Sequence, residues 1–189
     1  MNVKHFLLAV LTVGTAVLLI MTACTKKTSA ISELKHFPID SLDQIITGSG
    51  VRLDKAISSD GHGSLRVDAA TERTVVRLFE IKDISIENAR LIYQARVRTE
   101  NIEGRVYLEM WCGFNGLGES FSNSLFSPIS GTNNWTTVMI PFFLKKGEKP
   151  DYIKLNLVIE GKGTAWIDDI RLFKGPLYIM NEEKGAPVS

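Results

Sequence analysis

Short runs in which apolar and polar residues alternate make up most of the chain between residues 37 and 173. Residues 90–99 alternate almost strictly, with an apolar residue at every second position from Leu91 to Val97. Residues 105–114 repeat the pattern, with apolar residues on one side and mixed polar and aromatic residues on the other. Such alternation is typical of antiparallel strands that bury one face.

Further strands are expected where β-branched and aromatic residues cluster between turns rich in Gly, Asn, Ser and Pro. These are residues 65–67, 75–80, 136–142, 153–160 and 164–173. No stretch has a long helical period, so the predicted fold class is all-β, an antiparallel β-sandwich jelly roll. Residues 113–134 are predicted to form either a functional loop system or one further strand near residues 120–126.

The start of the chain has the features of a secretory signal. Two basic residues, Lys4 and His5, precede an apolar run over residues 6–21 and small residues before Cys24. Residues 19–24 (Leu-Ile-Met-Thr-Ala-Cys) resemble the lipobox of bacterial lipoproteins, which implies cleavage before Cys24 and diacylation of that cysteine. The alternative is an uncleaved signal anchor, because the apolar run approaches the length of a membrane span.

This interpretation divides the chain into four parts and predicts the cellular location of the protein. They are a cleaved signal helix over residues 1–23, lipidated Cys24 with a polar tether to residue 36, a β-sandwich over residues 37–175, and a tail over residues 176–189. The expected location is the bacterial cell envelope, with a lipid anchor in the membrane. In a Gram-negative host the expected membrane is the outer one.

Composition and motifs exclude several function classes. The chain has 22 Lys and Arg against 21 Asp and Glu, a balance that argues against nucleic acid as a partner. The two cysteines have different surroundings and are not expected to pair, and Cys112 falls on an apolar strand face as a buried thiol. No phosphate loop, dinucleotide motif, zinc motif or nucleophile elbow is present, so the protein is not expected to be an enzyme.

Three stretches together resemble the galactose-binding-like jelly roll of carbohydrate-binding modules, in particular the cellulose- and xylan-binding type. They are residues 60–67 (Asp-Gly-His-Gly-Ser-Leu-Arg-Val), residues 135–142 ending in Ile-Pro-Phe, and residues 163–172 (Gly-Thr-Ala-Trp-Ile-Asp-Asp-Ile-Arg-Leu). The resemblance extends over residues 37–174 and implies glycan binding. The same scaffold also serves in sensors, adhesion modules and assembly factors, so the fold alone does not name the ligand.

The resemblance also implies a structural calcium ion (Ca²⁺) between the early glycine-rich loop and the last strand. Its expected ligands are carbonyl oxygens of the loop from Asp60 to Ser64 and the carboxylate of Asp168. Such an ion would explain two adjacent acids in an apolar strand, where an unpaired charge is disfavoured. In the alternative, Asp168 accepts hydrogen bonds from loop N–H groups, and Asp169 pairs with Arg171 or with a cation of a neighbouring strand.

Members of this family bind glycans with aromatic rings and hydrogen-bonding side chains, and the outward side of residues 105–114 carries both. The candidate ligand-binding residues are Tyr107, Glu109 and Trp111, joined by Gln94, Arg96 and Asn156 if the neighbouring strands align. The alternative is a cross-strand ion pair between Glu109 and Arg96, with both rings covered by the long loop. Trp135 and Trp166 are expected in the core.

Two functions of different class therefore remain. The first is a lipid-anchored, non-catalytic carbohydrate-binding module, in which Trp111 and Tyr107 are exposed in a groove. The second is a structural or assembly lipoprotein that binds another envelope protein, with those rings buried and an apolar patch elsewhere, for example on residues 117–126. The exposure of the Trp111 ring distinguishes them.

Overall fold

A computed structural model of the chain describes residues 30–177, which form nine antiparallel β-strands. In chain order these are β1 (Ser32–Phe37), β2 (Val51–Asp54), β3 (Ser64–Ala69), β4 (Arg73–Lys82), β5 (Ala89–Phe114), β6 (Gly118–Asn123), β7 (Ile129–Leu144), β8 (Tyr152–Glu160) and β9 (Gly163–Gly175). Over these residues no helix has the length and apolar character needed to cross a membrane. The expected signal helix, Cys24 and residues 178–189 of the tail lie outside the described residues.

The 26-residue strand β5 takes part in both layers of the sandwich. Its first half lies between β9 and β7, and β9 is bordered on its other side by β3 and β1, with β2 beyond β3. We call these strands the first layer. The second half of β5 lies between β8 and β6, with β4 beyond β8, and forms the second layer. The pairing of β5 with β7 is irregular between Val97 and Val106, where the strand passes from one layer to the other.

The inward side chains of both layers meet in one apolar core, as the alternating pattern predicts. The first half of β5 contributes Leu91, Tyr93, Ala95 and Val97, and its second half contributes Val106, Leu108, Met110 and Cys112. Because both sets point into the same core, the outer faces of the two halves point in opposite directions. This geometry decides which polar residues can share a binding site.

A glycine allows close packing where β5 changes layer. A Cβ atom on Gly104 would lie 2.0 Å from the carbonyl oxygen of Glu160, at the end of β8. Any larger residue would push the crossing segment away from the turn between β8 and β9, so the glycine is required by the close backbone approach.

The all-β jelly-roll prediction is confirmed, although some element boundaries differ. The two strands expected at residues 90–99 and 105–114 are one continuous strand, β5. The irregular stretch contains β6 and the beginning of β7, in agreement with the suggested extra strand. Residues 32–36, expected in the polar tether, belong to β1 and pair with β9.

Candidate functional site

A cavity of about 450 Å³ opens on the outer face of the second layer, and we call it the cleft. The strand register places Arg77 of β4, Asn156 of β8 and Glu109 of β5 side by side across this face. The next row contains Lys154, Trp111 and Phe121. The volume of the cleft is within the range of small-ligand sites in proteins. The lining residues are Ile46, Arg73, Val75, Arg77, Phe79, Glu80, Glu109, Trp111, Glu119, Lys154 and Asn156.

Glu109 is the buried acid at the floor of the cleft, with only 6% of its surface exposed. Its Oε1 accepts hydrogen bonds from Trp111 Nε1 at 2.7 Å and from Asn156 Nδ2 at 3.1 Å. Its Oε2 lies 3.9 Å from a guanidinium nitrogen of Arg73, which is beyond hydrogen-bond distance. One carboxyl oxygen is therefore held by the protein, and the other is free to accept a hydrogen bond from a ligand.

Trp111 and Phe121 form an aromatic wall of the cleft. Their ring centroids are 4.7 Å apart and the ring planes meet at 31°. Trp111 is half-buried, whereas Phe121 of the edge strand β6 is 55% exposed. The ring of Trp111 is thus neither fully open nor covered by a loop: its indole N–H is bound to Glu109, and β6 places a second aromatic ring beside it.

Tyr107 points outward from β5 but is covered, which corrects the expectation of an exposed ring. Only 4% of its surface is exposed, and its hydroxyl donates to Glu160 Oε1 at 2.9 Å. Burial, followed by this hydrogen bond, raises the pKa of Tyr107. The partner carboxylate also accepts from Arg105 Nε. Tyr107 is absent from the cleft lining, so it supports the sheet next to the cleft without contacting its interior.

A polar cluster that the sequence analysis did not identify closes the other end of the cleft. The hydroxyl of Tyr152 and the ammonium group of Lys154 both donate to Glu119 Oε1, each at 2.7 Å. These hydrogen bonds, with that of Lys154 the larger cause, lower the pKa of Glu119. The Tyr152 ring lies across Gly113, where a Cβ atom would be 2.1 Å from ring atom Cζ. Gly113, a glycine inside a strand, was the available sequence signal for this close approach.

Gln94 and Arg96 do not belong to the cleft. They lie on the outer face of the first layer, because β5 has not yet changed layer at these positions. Arg96 donates to Thr137 Oγ1 at 3.2 Å and to the carbonyl of Trp135 at 3.4 Å. The alternative ion pair between Glu109 and Arg96 is also wrong, since the cation facing Glu109 is Arg73 of β4.

The expected calcium ligand Asp168 is fully buried and already accepts several hydrogen bonds. Its Oδ2 accepts from Ser59 N at 2.8 Å and Ser59 Oγ at 2.7 Å, and its Oδ1 accepts from Asp169 N at 2.8 Å. These donors occupy lone pairs that a calcium ion would need. Asp169 pairs with Arg171 Nε at 2.8 Å, as in the alternative without a metal.

The side chains of Asp60 and Ser64 are held within the loop itself. Asp60 Oδ1 accepts from Ser58 Oγ and His62 N, both at 2.8 Å, and Ser64 Oγ donates to the carbonyl of Ile57. Within the loop, the carbonyl oxygen of His62 accepts a hydrogen bond from Lys55 Nζ at 2.8 Å. These contacts therefore do not fit a calcium ion shared by the loop and Asp168.

The tryptophans outside the cleft differ in how they are packed. Trp166 is fully buried on the outer side of β9, where its Nε1 donates to Asp54 at 2.9 Å. The guanidinium groups of Arg66 and Arg98 lie 4.9 and 5.7 Å from the centre of its ring. The expectation of burial holds for Trp166, but two arginines rather than the central core cover its ring. Trp135 of β7 is only partly buried and does not belong to the core, so the expectation for that residue is wrong.

The chain matches no protein-family model, and no curated protein sequence matches it. Its structure is similar to the xylan-binding CBM22-1 domain of Paenibacillus barcinonensis Xyn10C, with a TM-score of 0.57 and 12% identity over 78% of this chain and 97% of that one. It is also similar to a family 16 carbohydrate-binding module, with a TM-score of 0.50 and 12% identity over 66% and 86% of the two chains.

A third similar structure contains the CBM22-1 and GH10 modules of Clostridium thermocellum xylanase Xyn10B in complex with xylohexaose. The TM-score is 0.56 and the identity 11%, over 80% of this chain and 30% of that one. At such identities the similarity establishes the fold alone. Residues 30–177 therefore have the β-sandwich jelly-roll fold found in carbohydrate-binding modules.

Proposed function

We propose that this protein is a lipid-anchored, non-catalytic carbohydrate-binding module that holds a glycan chain in the cleft. The observation that carries the proposal is Glu109, a buried acid with one oxygen free to the cleft, beside the aromatic wall of Trp111 and Phe121. A carboxyl oxygen accepts sugar hydroxyl protons, and an aromatic face packs against the apolar face of a sugar ring.

Polar side chains above the floor supply the complementary donors. Arg77 faces the cleft next to Asn156, and no ion pair or side-chain hydrogen bond engages its guanidinium group within residues 30–177. It can therefore donate to hydroxyl or ring oxygens of a bound sugar. The similar xylan-binding domain supports a β-linked polysaccharide as the first ligand to test.

The acids of the cleft favour binding over hydrolysis. Glycosidases use a carboxyl pair in which the acid has a raised pKa. Here hydrogen bonds from Lys154 and Tyr152 lower the pKa of Glu119, and Glu80 forms an ion pair with Lys82 at 3.0 Å. Glu119 is therefore poorly suited to protonate a leaving group, and we expect no catalytic turnover.

The cellular setting of the proposal rests on the sequence. The lipobox-like residues 19–24 support a lipid on Cys24, which would tether the domain to the membrane of the bacterial cell envelope. In a Gram-negative host the outer membrane is the expected site. The bound carbohydrate would then be held next to the envelope.

A specific observation favours a second candidate, the docking of another envelope protein. Leu117 and Phe126, on either side of β6, are 83% and 100% exposed. They lie in separate turns at the two ends of this strand, and exposed apolar side chains of this size occur in protein-binding surfaces. This surface lies in the stretch that the sequence analysis named for that function.

The experiment that tests glycan binding is affinity electrophoresis of the full chain in non-ionic detergent, through gels containing a panel of soluble polysaccharides. Two cleft variants, Trp111→Ala and Glu109→Gln, are compared with two controls outside the cleft, Trp135→Ala and Glu103→Gln. Retardation of the parent and both controls by one polysaccharide, lost in both cleft variants, is the expected result.

Of the two cleft variants, Glu109→Gln is the more specific test, because it changes one hydrogen-bonding group and keeps the size of the side chain. Glutamine can keep its oxygen on Trp111 and Asn156 and place an amide N–H₂ where Oε2 faces the ligand. Loss of a hydrogen bond to a charged group corresponds to about 1.5–3 kcal/mol, or roughly a 10- to 150-fold weaker affinity. Unchanged mobility of the parent across a broad panel would refute glycan binding and direct the search to protein partners that contact Phe126.

A further inference from the structure

We propose that the ammonium group of Lys55 holds the glycine-rich loop where related folds are expected to use a metal ion, so that the stability of this domain does not depend on calcium. Lys55 directly follows β2, and its Nζ donates to the carbonyl oxygen of Asp40 at 2.7 Å and to that of His62 at 2.8 Å. The proposal is independent of glycan binding in the cleft.

The two carbonyl groups come from separate parts of the chain. Asp40 is 15 residues before Lys55, and His62 is seven residues after it. Carbonyl oxygens that converge on one point repel each other, and a cation between them, such as calcium or an ammonium group, relieves this repulsion. In this chain the charge is covalently attached, so no ion has to be bound from solution.

A glycine leaves room for the lysine side chain. Gly63 has a φ of +149°, and a Cβ atom at this position would lie 3.4 Å from Lys55 Cδ and 3.0 Å from the carbonyl oxygen of Ile39. The loop backbone can therefore pass close to the lysine stem and to the segment after β1.

The connection from the loop to β9 is also made without a metal ion. Asp168 receives its hydrogen bonds from Ser59 N–H, Ser59 O–H and Asp169 N–H. All three groups donate hydrogen bonds to the carboxylate. Its oxygens are therefore bound by the protein and are not free to coordinate calcium. Lys55 and Asp168 thus bind different residues of the same loop, Lys55 through a hydrogen bond that it donates to His62 and Asp168 through bonds that it accepts from Ser59.

A calcium ion would have to use exposed side chains next to this lysine. Asp40, Asp60 and His62 place ligand atoms within 4.8 Å of one another. However, Asp60 already accepts bonds within the loop, and the ammonium group on the neighbouring carbonyls repels a divalent cation. This cluster is therefore where binding would appear if the proposal were wrong.

The test is the thermal unfolding of the full chain in non-ionic detergent, with millimolar calcium chloride or with EDTA. We expect the same Tm in both solutions. Lys55→Met keeps the stem and removes the charge. Both hydrogen bonds that it removes are exposed to solvent, so water replaces part of them and Tm is expected to fall by only about 4 °C. Lys162→Met, a change at an exposed lysine, is the matched control and is expected to leave Tm unchanged.

Two results would overturn the proposal. A higher Tm of the parent in calcium, abolished by Asp60→Asn, would establish a metal site at the exposed cluster. An unchanged Tm of Lys55→Met would mean that the ammonium group does not hold the loop. If Lys55→Met does not fold, the comparison of the parent in calcium and EDTA still decides the question, because only a metal-dependent loop responds.

Discussion

Replacement of Asp168 tests how the glycine-rich loop is joined to β9. The side chain is fully buried, and its two oxygens accept hydrogen bonds from two backbone N–H groups, those of Ser59 and Asp169. In Asp168→Ala both N–H groups lose their acceptor. Each unsatisfied donor costs about 1–3 kcal/mol when water cannot take the place of the partner. The sum is about 4 kcal/mol.

This loss is large compared with the stability of one domain. Folded domains are typically stable by about 5–15 kcal/mol, and near this size 1 kcal/mol changes Tm by roughly 2–4 °C. Asp168→Ala should therefore lower Tm by about 8–16 °C. The isosteric Asp168→Asn retains one acceptor oxygen and directs an N–H₂ group at the second donor, so about half of that loss is expected.

The assay is circular dichroism or differential scanning calorimetry of the full chain in detergent. Asp151→Ala removes an exposed carboxylate in the turn before β8 and serves as the control for loss of an acid. The reasoning fails if Asp168→Asn is as stable as the parent, because the two backbone N–H groups face different carboxylate oxygens and asparagine keeps only one of them. It also fails if Asp151→Ala is as damaging as Asp168→Ala.

Three further predictions follow from single contacts. Gly104→Ala should lower Tm by several degrees or prevent folding, because the new methyl group would lie 2.0 Å from the carbonyl oxygen of Glu160. A wild-type Tm would contradict the close approach of the two backbone segments. Burial raises the pKa of the Cys112 thiol to about 12, so iodoacetamide should label Cys112 only in denaturant. Peptide mass spectrometry measures the labelling, and labelling of Cys112 in the native protein would refute its burial. The pKa of Asp54 is lowered, with the hydrogen bond from Trp166 as the largest cause. The ionised Asp54 therefore stabilises the fold above the ordinary carboxyl pKa, and this stabilisation is lost as the pH falls through the lower folded-state pKa. Tm should fall below about pH 4, and fall less in Asp54→Asn; an equal fall in both proteins would exclude this contribution.

The alternating pattern correctly places residues that share one half of a strand. Glu109 and Trp111 are two positions apart on β5 and both line the cleft, as expected from a period of two. Asn156 joins them because β8 pairs with the same half of β5. Their hydrogen-bonding roles could not be predicted, since they depend on side-chain geometry across the strands.

The same pattern fails for Gln94 and Arg96 because alternation does not report a change of layer. Both halves of β5 keep their apolar side toward one core, so the sequence pattern is the same before and after the crossing. The outward sides nevertheless face opposite directions. Gly104, with its close approach to the turn after Glu160, was the available sign of the crossing, but its partner is distant in sequence.

The acidic pair in β9 shows why charge patterns predict the need for a partner and not its identity. Two adjacent carboxylates in an apolar strand require compensation, and the sequence offers calcium, solvent or cationic side chains as candidates. Asp169 takes a cation, Arg171, whereas Asp168 is compensated by three neutral donors, two from Ser59 in the loop and one from Asp169 N in β9. Two of those donors are backbone N–H groups, which every non-proline residue carries, so no residue type marks them in advance. The carbonyl groups that accept hydrogen bonds from Lys55 are equally invisible in the sequence. The sequence therefore cannot distinguish a loop held by calcium from one held by a lysine, which is the arrangement that we propose.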